Sequence, residues 1–234
     1  MFIGLFSTTL FAANFSISPM SAVISAQDQY GQISITNNAD QTILFQTKIV
    51  AFNPITKQEQ PTQDLMLTPP IINIAPGQTQ VFRVADMIAP SLTQEKYYHV
   101  YFSQVANSTP NANKNNNGAS LNFVFNIAIP IYVLPANLQT NLYWSAHLLN
   151  AKKIQLTVVN HGNSHIQFYS AGIMNNVTNE ALASVEFPKL LYPGQSETVV
   201  VDLKFPLTAG DKSLSLNYQS DLSQQTATAV VPLT

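Results

Sequence analysis

Between residues 121 and 133 an apolar side chain falls at every second position: Leu121, Phe123, Phe125, Ile127, Ile129, Ile131 and Val133. A period of two belongs to a β-strand with one face turned to a core, and it does not fit the 3.6-residue period of an amphipathic helix. The habit recurs along the chain. Short runs rich in Val, Ile, Thr, Phe and Tyr stand between turn-forming clusters: "GQISITN", "TILFQTKIVAF", "TQVFRV" and "KYYHVYFSQV", then "IQLTVVN", "HIQFYSAGI", "ETVVVDLKF", "KSLSLNYQ" and "TATAVVPL". No segment sustains a helical apolar period, and 14 prolines interrupt any candidate. The expected fold class is all-β, built from antiparallel sandwiches.

An internal repeat divides the strands into two sets. "PPIINIAPGQTQVFRV" (69–84) returns as "FPKLLYPGQSETVVV" (187–201), and "ISITNNADQTILF" (33–45) returns as "LTVVNHGNSHIQF" (156–168). The second pair sets Asn37 over Asn160, Ile43 over Ile166 and Phe45 over Phe168. The offsets, 117 residues for the first pair and 123 for the second, nearly agree, and the order is kept. A chain of 234 residues with 46% apolar content is long for one sandwich and natural for two. Two similar tandem β-sandwich domains are therefore expected, over 14–135 and 136–234, joined near "LPANLQT".

Charged residues make up 9% of the chain and the net charge is -2, so no basic surface exists to neutralise a phosphate backbone or to seek anionic lipid. Nucleic acid is excluded as an expected partner. The absence of cysteine removes disulfides, thiolate metal sites and thiol nucleophiles together. Residues 1–13, within "MFIGLFSTTLFAAN", read as the apolar core and small-residue cleavage zone of a secretory signal that lacks a basic n-region. Beyond it no apolar run reaches the roughly 20 residues that a spanning helix needs, so export without membrane insertion is expected.

One segment departs from this economy. "ANSTPNANKNNNGAS" (106–120) has no apolar residue larger than alanine and reads as a polar loop leading straight into the alternating run. Within that run Pro130 removes a ladder donor, which marks a sheet edge. A long edge strand with a row of bulky side chains invites pairing with another chain unless it is covered or used. Ile127, Ile129, Ile131 and Val133 are expected to fill this domain's own core. Leu121, Phe123 and Phe125 are candidates for burial in a partner, at about 1.5–3 kcal/mol apiece before ordering costs.

Through "FSISPMSAVI", "ISITNNADQTILFQTKI", "LTPPIINIAPGQTQVFRV", "PSLTQEKYYHVYFSQV" and "LNFVFNIAIPIYVLPANL" the sequence resembles the periplasmic chaperones of chaperone-usher pilus assembly. The Pro-Pro at 69–70, the long polar loop and the ending from Tyr132 to Pro135 carry the resemblance most specifically. It implies two immunoglobulin-like domains and donor-strand complementation, in which an edge strand is lent to a pilin or fimbrial subunit. Carried over by position, the donated residues are Leu121, Phe123, Phe125 and Ile127. The implied partners are pilin subunits and an outer-membrane usher, in the periplasm, and a homodimer that hides the edge is left open. The sequence departs from the family at the basic pair that holds a subunit's terminal carboxylate, because Ser21 and Pro130 stand where arginine and lysine are expected. Arg83, Lys48 and Lys96 are the cations that could substitute from other strands. A two-domain surface protein that lends no strand, or a paralogue that has lost subunit binding, remains an alternative.

Catalytic readings are weaker. His161 and His165 are four apart, but in a turn between strands and with no third ligand close in sequence. His99 and His147 lie in strands and read as packing or surface residues. "PGQSE" lacks the second glycine of a nucleophile elbow and repeats as "PGQTQ", so it marks a turn. No phosphate-binding glycine pattern and no assignable acid-base pair is present. No enzyme activity, cofactor or metal is expected.

Overall fold

A computed structural model describes residues 14–87, 92–106, 123–187, 190–208, 210–221 and 223–234. The proposed signal segment, most of the polar loop and Leu121 lie outside them. Every regular element among the described residues is a strand, and none of them forms a helix long and apolar enough to cross a membrane. The strands fall into two compact units whose boundary lies between Leu134 and Pro135, and the short segment Leu92–Glu95 belongs with the second.

The first unit contains β1 (Phe15–Ser18), β2 (Ala22–Ile24), β3 (Tyr30–Asn37), β4 (Ile43–Phe52), β5 (Glu59–Pro61), β6 (Leu65–Thr68), β7 (Ile71–Ile74), β8 (Thr79–Asp86), β9 (Lys96–Val105) and β10 (Asn126–Val133). One sheet has the order β1-β3-β8-β6; the other runs β2-β10-β9-β4-β5, with β7 also on β4. The prolines at 69 and 70 stand between β6 and β7, where the chain crosses from one sheet to the other. Alternation decides what is buried. Ile33, Ile35, Phe82 and Val84 of the first sheet face Tyr98, Val100, Phe102, Ile129 and Ile131 of the second, and all are buried. Phe82 meets Phe102 edge to face at 4.9 Å.

The second unit contains β11 (Leu142–Asn150), β12 (Lys153–Asn160), β13 (Phe168–Asn175), β14 (Ala181–Val185), β15 (Ser196–Asp202), β16 (Ser213–Ser220) and β17 (Ser223–Pro232). Its sheets are β11-β12-β15 and β14-β13-β16-β17. The core is centred on Trp144, which contacts the rings of Phe168 and Phe187 at 5.4 and 5.7 Å. β13 starts at Phe168, later than the run "HIQFYSAGI" suggests, and Ile166 instead forms an isolated bridge with Leu191.

The internal repeat is a repeat of hydrogen bonds. Asn37, fully buried at the end of β3, donates from Nδ2 to the carbonyls of Gln41 and Ile74, both at 2.8 Å, and its Oδ1 accepts from the Ala39 amide at 2.9 Å. Asn160 at the end of β12 donates to Ser164 and Leu191, both at 2.9 Å, and accepts from Gly162 at 2.8 Å. Each asparagine carbonyl accepts from the glycine of its Pro-Gly turn, Gly77 or Gly194. Both glycines adopt positive φ, 71° and 79°, which other residues reach only with strain. Ile43 and Phe45, like Ile166 and Phe168, follow the pinned turn into the core.

Replacing Asn160 with alanine leaves two buried carbonyls and an amide without a partner, at about 1–3 kcal/mol for each group that water cannot reach. The variant is expected to lose about 2–4 kcal/mol of stability, read from urea denaturation followed by the fluorescence of Trp144, the only tryptophan. A loss below about 1 kcal/mol would show that the pin is replaceable.

Candidate functional site: the half-covered strand β10

β10 is paired along its whole length on one side and along part of it on the other. β9 runs antiparallel to it, from Asn126 opposite Ser103 to Val133 opposite Lys96. On the other side β2 runs parallel but reaches only Ile131, Tyr132 and Val133. Pro130 therefore does not mark an edge over the whole run. Among the described residues the sheet edge beside residues 131–133 is β2, and β10 is outermost only from Asn126 to Pro130.

The hydrogen-bond parity explains why a proline is tolerated there. The Phe125 carbonyl accepts from the Gln104 amide at 2.8 Å, so Phe125 faces β9 with its main-chain groups. In an antiparallel pair that role falls to alternate residues, here Ile127, Ile129, Ile131 and Val133. The main-chain groups of Asn126, Ala128, Pro130 and Tyr132 point outward, toward β2 where it is present. The Leu134 amide, of the same outward parity, donates to Ile24 of β2 at 2.9 Å. The missing donor of Pro130 thus costs the β9 ladder nothing. It falls where pairing with β2 begins, and beyond it the outward main-chain groups of Ala128 and Asn126 have no strand partner among the described residues.

The apolar row changes character along β10 and the residues that lead into it, Phe123–Phe125, which the structure leaves outside the strand although the alternation runs through them. Val133, Ile131 and Ile129 are buried in the first unit's core, Ile127 is half-buried, Phe125 is 38% exposed and Phe123 is 71% exposed. Phe125 is not free of contacts: its ring meets Phe15 edge to face at 5.4 Å, and Phe15 meets the core residue Phe45 at 5.1 Å. The row continues the core beyond its last covered position. Val124, of opposite parity, is 52% exposed. Asn126 is tied to β9 through Ser103, whose hydroxyl lies 2.8 Å from its Oδ1.

Ser21 and Pro130 come together, since Ala22 is the register partner of Ile131 and each of the two immediately precedes a partner. Neither β1, β2 nor β10 carries a lysine or arginine. Of the proposed substitutes, Lys96 lies 3.1 Å from Asp64, and Arg83 sits in the other sheet opposite Gln32 and Thr68. Lys48 lies opposite Tyr101, whose hydroxyl donates to Glu59 at 2.6 Å. The same carboxylate lies 2.7 Å from His99 Nδ1, and His99 stacks on Phe52 at 4.2 Å. Those bonds from His99 and Tyr101 hold Glu59 below the usual carboxylate range.

Sequence reasoning missed the surroundings of His165. Glu95 and Asp221 are distant in the chain but flank the imidazole, with Glu95 2.7 Å from Nδ1 and Asp221 3.3 Å from Nε2. His161 is not part of this cluster. No group of three residues able to hold a metal occurs among the described residues.

The described residues form an all-β chain of two sandwich units, the first with a strand that has no described partner on one side for half its length. A family model described as "Pili and flagellar-assembly chaperone, PapD N-terminal domain" matches residues 14–139. The chain belongs to this chaperone family. Among solved structures it is similar to the class 5 fimbriae chaperone CfaA, with a TM-score of 0.66 at 18% identity, covering 93% of this chain and 99% of that one. It is also similar to the CsuC-CsuE chaperone-tip adhesion subunit pre-assembly complex from archaic chaperone-usher Csu pili of Acinetobacter baumannii, with a TM-score of 0.56 at 11% identity over 95% and 100% of the two chains. The E. coli chaperone DraB gives 0.53 at 15% identity over 94% and 96%. No protein of curated function matches the sequence.

Ile129 within β10 and Phe123 ahead of it are expected to respond differently to truncation. Ile129→Ala should cost about 2–5 kcal/mol of stability, as core truncations do. Phe123→Ala should change it by no more than about 0.5 kcal/mol, as exposed positions do. Urea denaturation followed by circular dichroism distinguishes them, and comparable losses would place Phe123 in the home core.

Proposed function

We propose that this chaperone lends the open half of β10 to a pilus or fimbrial subunit that lacks a strand of its own. It does so in the periplasm, before the subunit passes to an outer-membrane usher. The observation that carries the reading is the mismatch between the two neighbours of β10: β9 follows it to Asn126, whereas β2 stops at Ile131. A subunit strand entering the lane beside Asn126–Pro130 would pair with the outward main-chain groups of Asn126 and Ala128. Phe123, Phe125 and Ile127, with Leu121 preceding them, would enter the subunit's groove at alternate positions. The protein works without catalysis: apolar burial supplies the affinity and strand register the order.

The lane is uncharged at its base, where Ser21 and Pro130 meet, so the reading needs no salt bridge to a subunit carboxylate. Without a subunit, the same edge is available to a second copy of the chain, as unprotected edges generally are.

Co-purification of exported subunits after periplasmic expression tests the proposal. Replacing both Phe123 and Phe125 with glutamate should weaken capture by at least about a hundredfold, the equivalent of losing two partly buried aromatic anchors, while the fold is kept. Unchanged capture by the folded double variant would overturn strand lending at these positions. Pro130→Lys separately tests the anchor, because it should strengthen capture only where a subunit carboxylate reaches the base of the lane.

A further inference from the structure

β2 takes its place beside β10 through a gap in the opposite sheet. β3 turns Gly31, Ile33, Ile35 and Asn37 toward the core, and all four are buried. A Cβ added at Gly31 would lie 3.0 Å from the Ala22 Cβ, 3.8 Å from Ile24 Cγ1 and 4.0 Å from the Val84 Cβ. Carbon atoms pack at about 3.5–4.0 Å, so Ala22 occupies the space that a side chain at 31 would need. Gly31 is not among the glycines with positive φ, so the close approach of another strand, and not backbone conformation, calls for glycine here. Ala22 and Ile24 are buried against this seat, and Val23 between them faces out.

Ala22 is also the first residue of β2 to pair with β10, opposite Ile131. Only Pro19, Met20 and Ser21 separate it from Ser18, which is still paired with Ser34 in the first sheet. The chain therefore changes sheets within three residues and lands on the seat. The far end of β2 is tied down separately: the Ile24 carbonyl accepts from the Leu134 amide at 2.9 Å, the Ser25 amide donates to the Asp28 carbonyl at 2.8 Å, and Ser25 Oγ accepts from the Asp28 amide at 3.1 Å. By the parity that points the Leu134 amide at Ile24, the Tyr132 amide faces Ala22, two residues earlier on each strand.

We propose that Gly31 is a positioning residue for strand lending: by seating Ala22 it fixes the first rung between β2 and β10, and with it the point along β10 where a subunit strand must end. The inference rests on the strand-lending reading. A subunit strand and β2 draw on the same outward groups of β10, so each group serves one or the other. Asn126 and Ala128 lie before the rung and Tyr132 after it, while Pro130 between them has no amide for either. A side chain at 31 displaces Ala22 and not β3, because β3 is held on both sides by β1 and β8, whereas β2 is three residues long with one strand partner among the described residues. With the rung in place a subunit strand cannot slide past Ile131, and Phe123, Phe125 and Ile127 meet the groove in a single register.

Amide hydrogen exchange on the full chain tests the seat, with residues of the same strand as the control. Gly31→Ala should speed exchange of the Tyr132 amide by about fivefold or more, while the amides of Ile131 and Val133, which face β9, stay within about twofold of the wild type. Combining Gly31→Ala with Ala22→Gly puts the methyl group back into the same gap from the other strand, and should return Tyr132 to within about twofold of the wild type. Tyr132 exchange that is unchanged in G31A, or raised no more than that of Val133, would overturn the seat, as would a double variant that exchanges as fast as G31A. In complexes co-purified with exported subunits, the wild type should gain protection at Ala128 but not at Tyr132, and G31A at both, as the subunit strand runs past the vacated rung. Protection at Ala128 alone in both complexes would overturn a role in register and leave Gly31 a packing residue. No protection at Ala128 in the wild-type complex would overturn strand lending itself, and with it this role for Gly31, whatever the free protein shows.

Discussion

A carbonyl buried in a sandwich needs a donor, and in this chaperone a single asparagine side chain answers that need at the same place in each unit. Asn37 and Asn160 each stand at the end of a strand, donate twice to main-chain carbonyls and accept once from the turn they close. The geometry reaches backward to the Pro-Gly turn and forward to the first core residues of the next strand. Sheet register, and with it the face that every side chain presents, follows from where these turns are pinned, because a slip of one residue would turn the core face to solvent. β4 and β9 are held in register with each other, and β10 lies in register on β9.

The second constraint is subtractive. Pro130 lacks a donor, and the parity set by Phe125 and Gln104 puts that deficit on the side away from β9. Pairing with β2 begins one residue later, at Ile131. The end of the strand, from Ile129 to Val133, completes the home core, and the same alternation leads back through Ile127 to Phe125 and Phe123, which are progressively more exposed. Phe15 and Phe125 form the border between the two regimes.

Much of this was legible in the sequence because period-two alternation and turn chemistry are local. The run "KYYHVYFSQV" coincides with β9, and the paired repeats contain both asparagines and both positive-φ glycines. Ile127 joined the candidates only through the family resemblance, whereas Phe123 and Phe125 could be singled out by parity and by their place after the polar run. The extent of the edge could not. Nothing in "IPIYV" says that a three-residue strand from the far N-terminal side, Ala22–Ile24, lies parallel beside its second half. The partners of His165 were equally hidden, since a turn histidine gives no local sign of carboxylates contributed by segments far away in the chain.

The sequence by itself determined the class of fold, its duplication and the side on which each strand is apolar, because these depend on spacings within a few residues. Which half of β10 is covered, where the lane begins and what surrounds the buried Glu95 were decided only by tertiary structure. The physical reason is that hydrogen-bond pairing between strands, and the burial of a charge, depend on distances between groups that chain position does not encode.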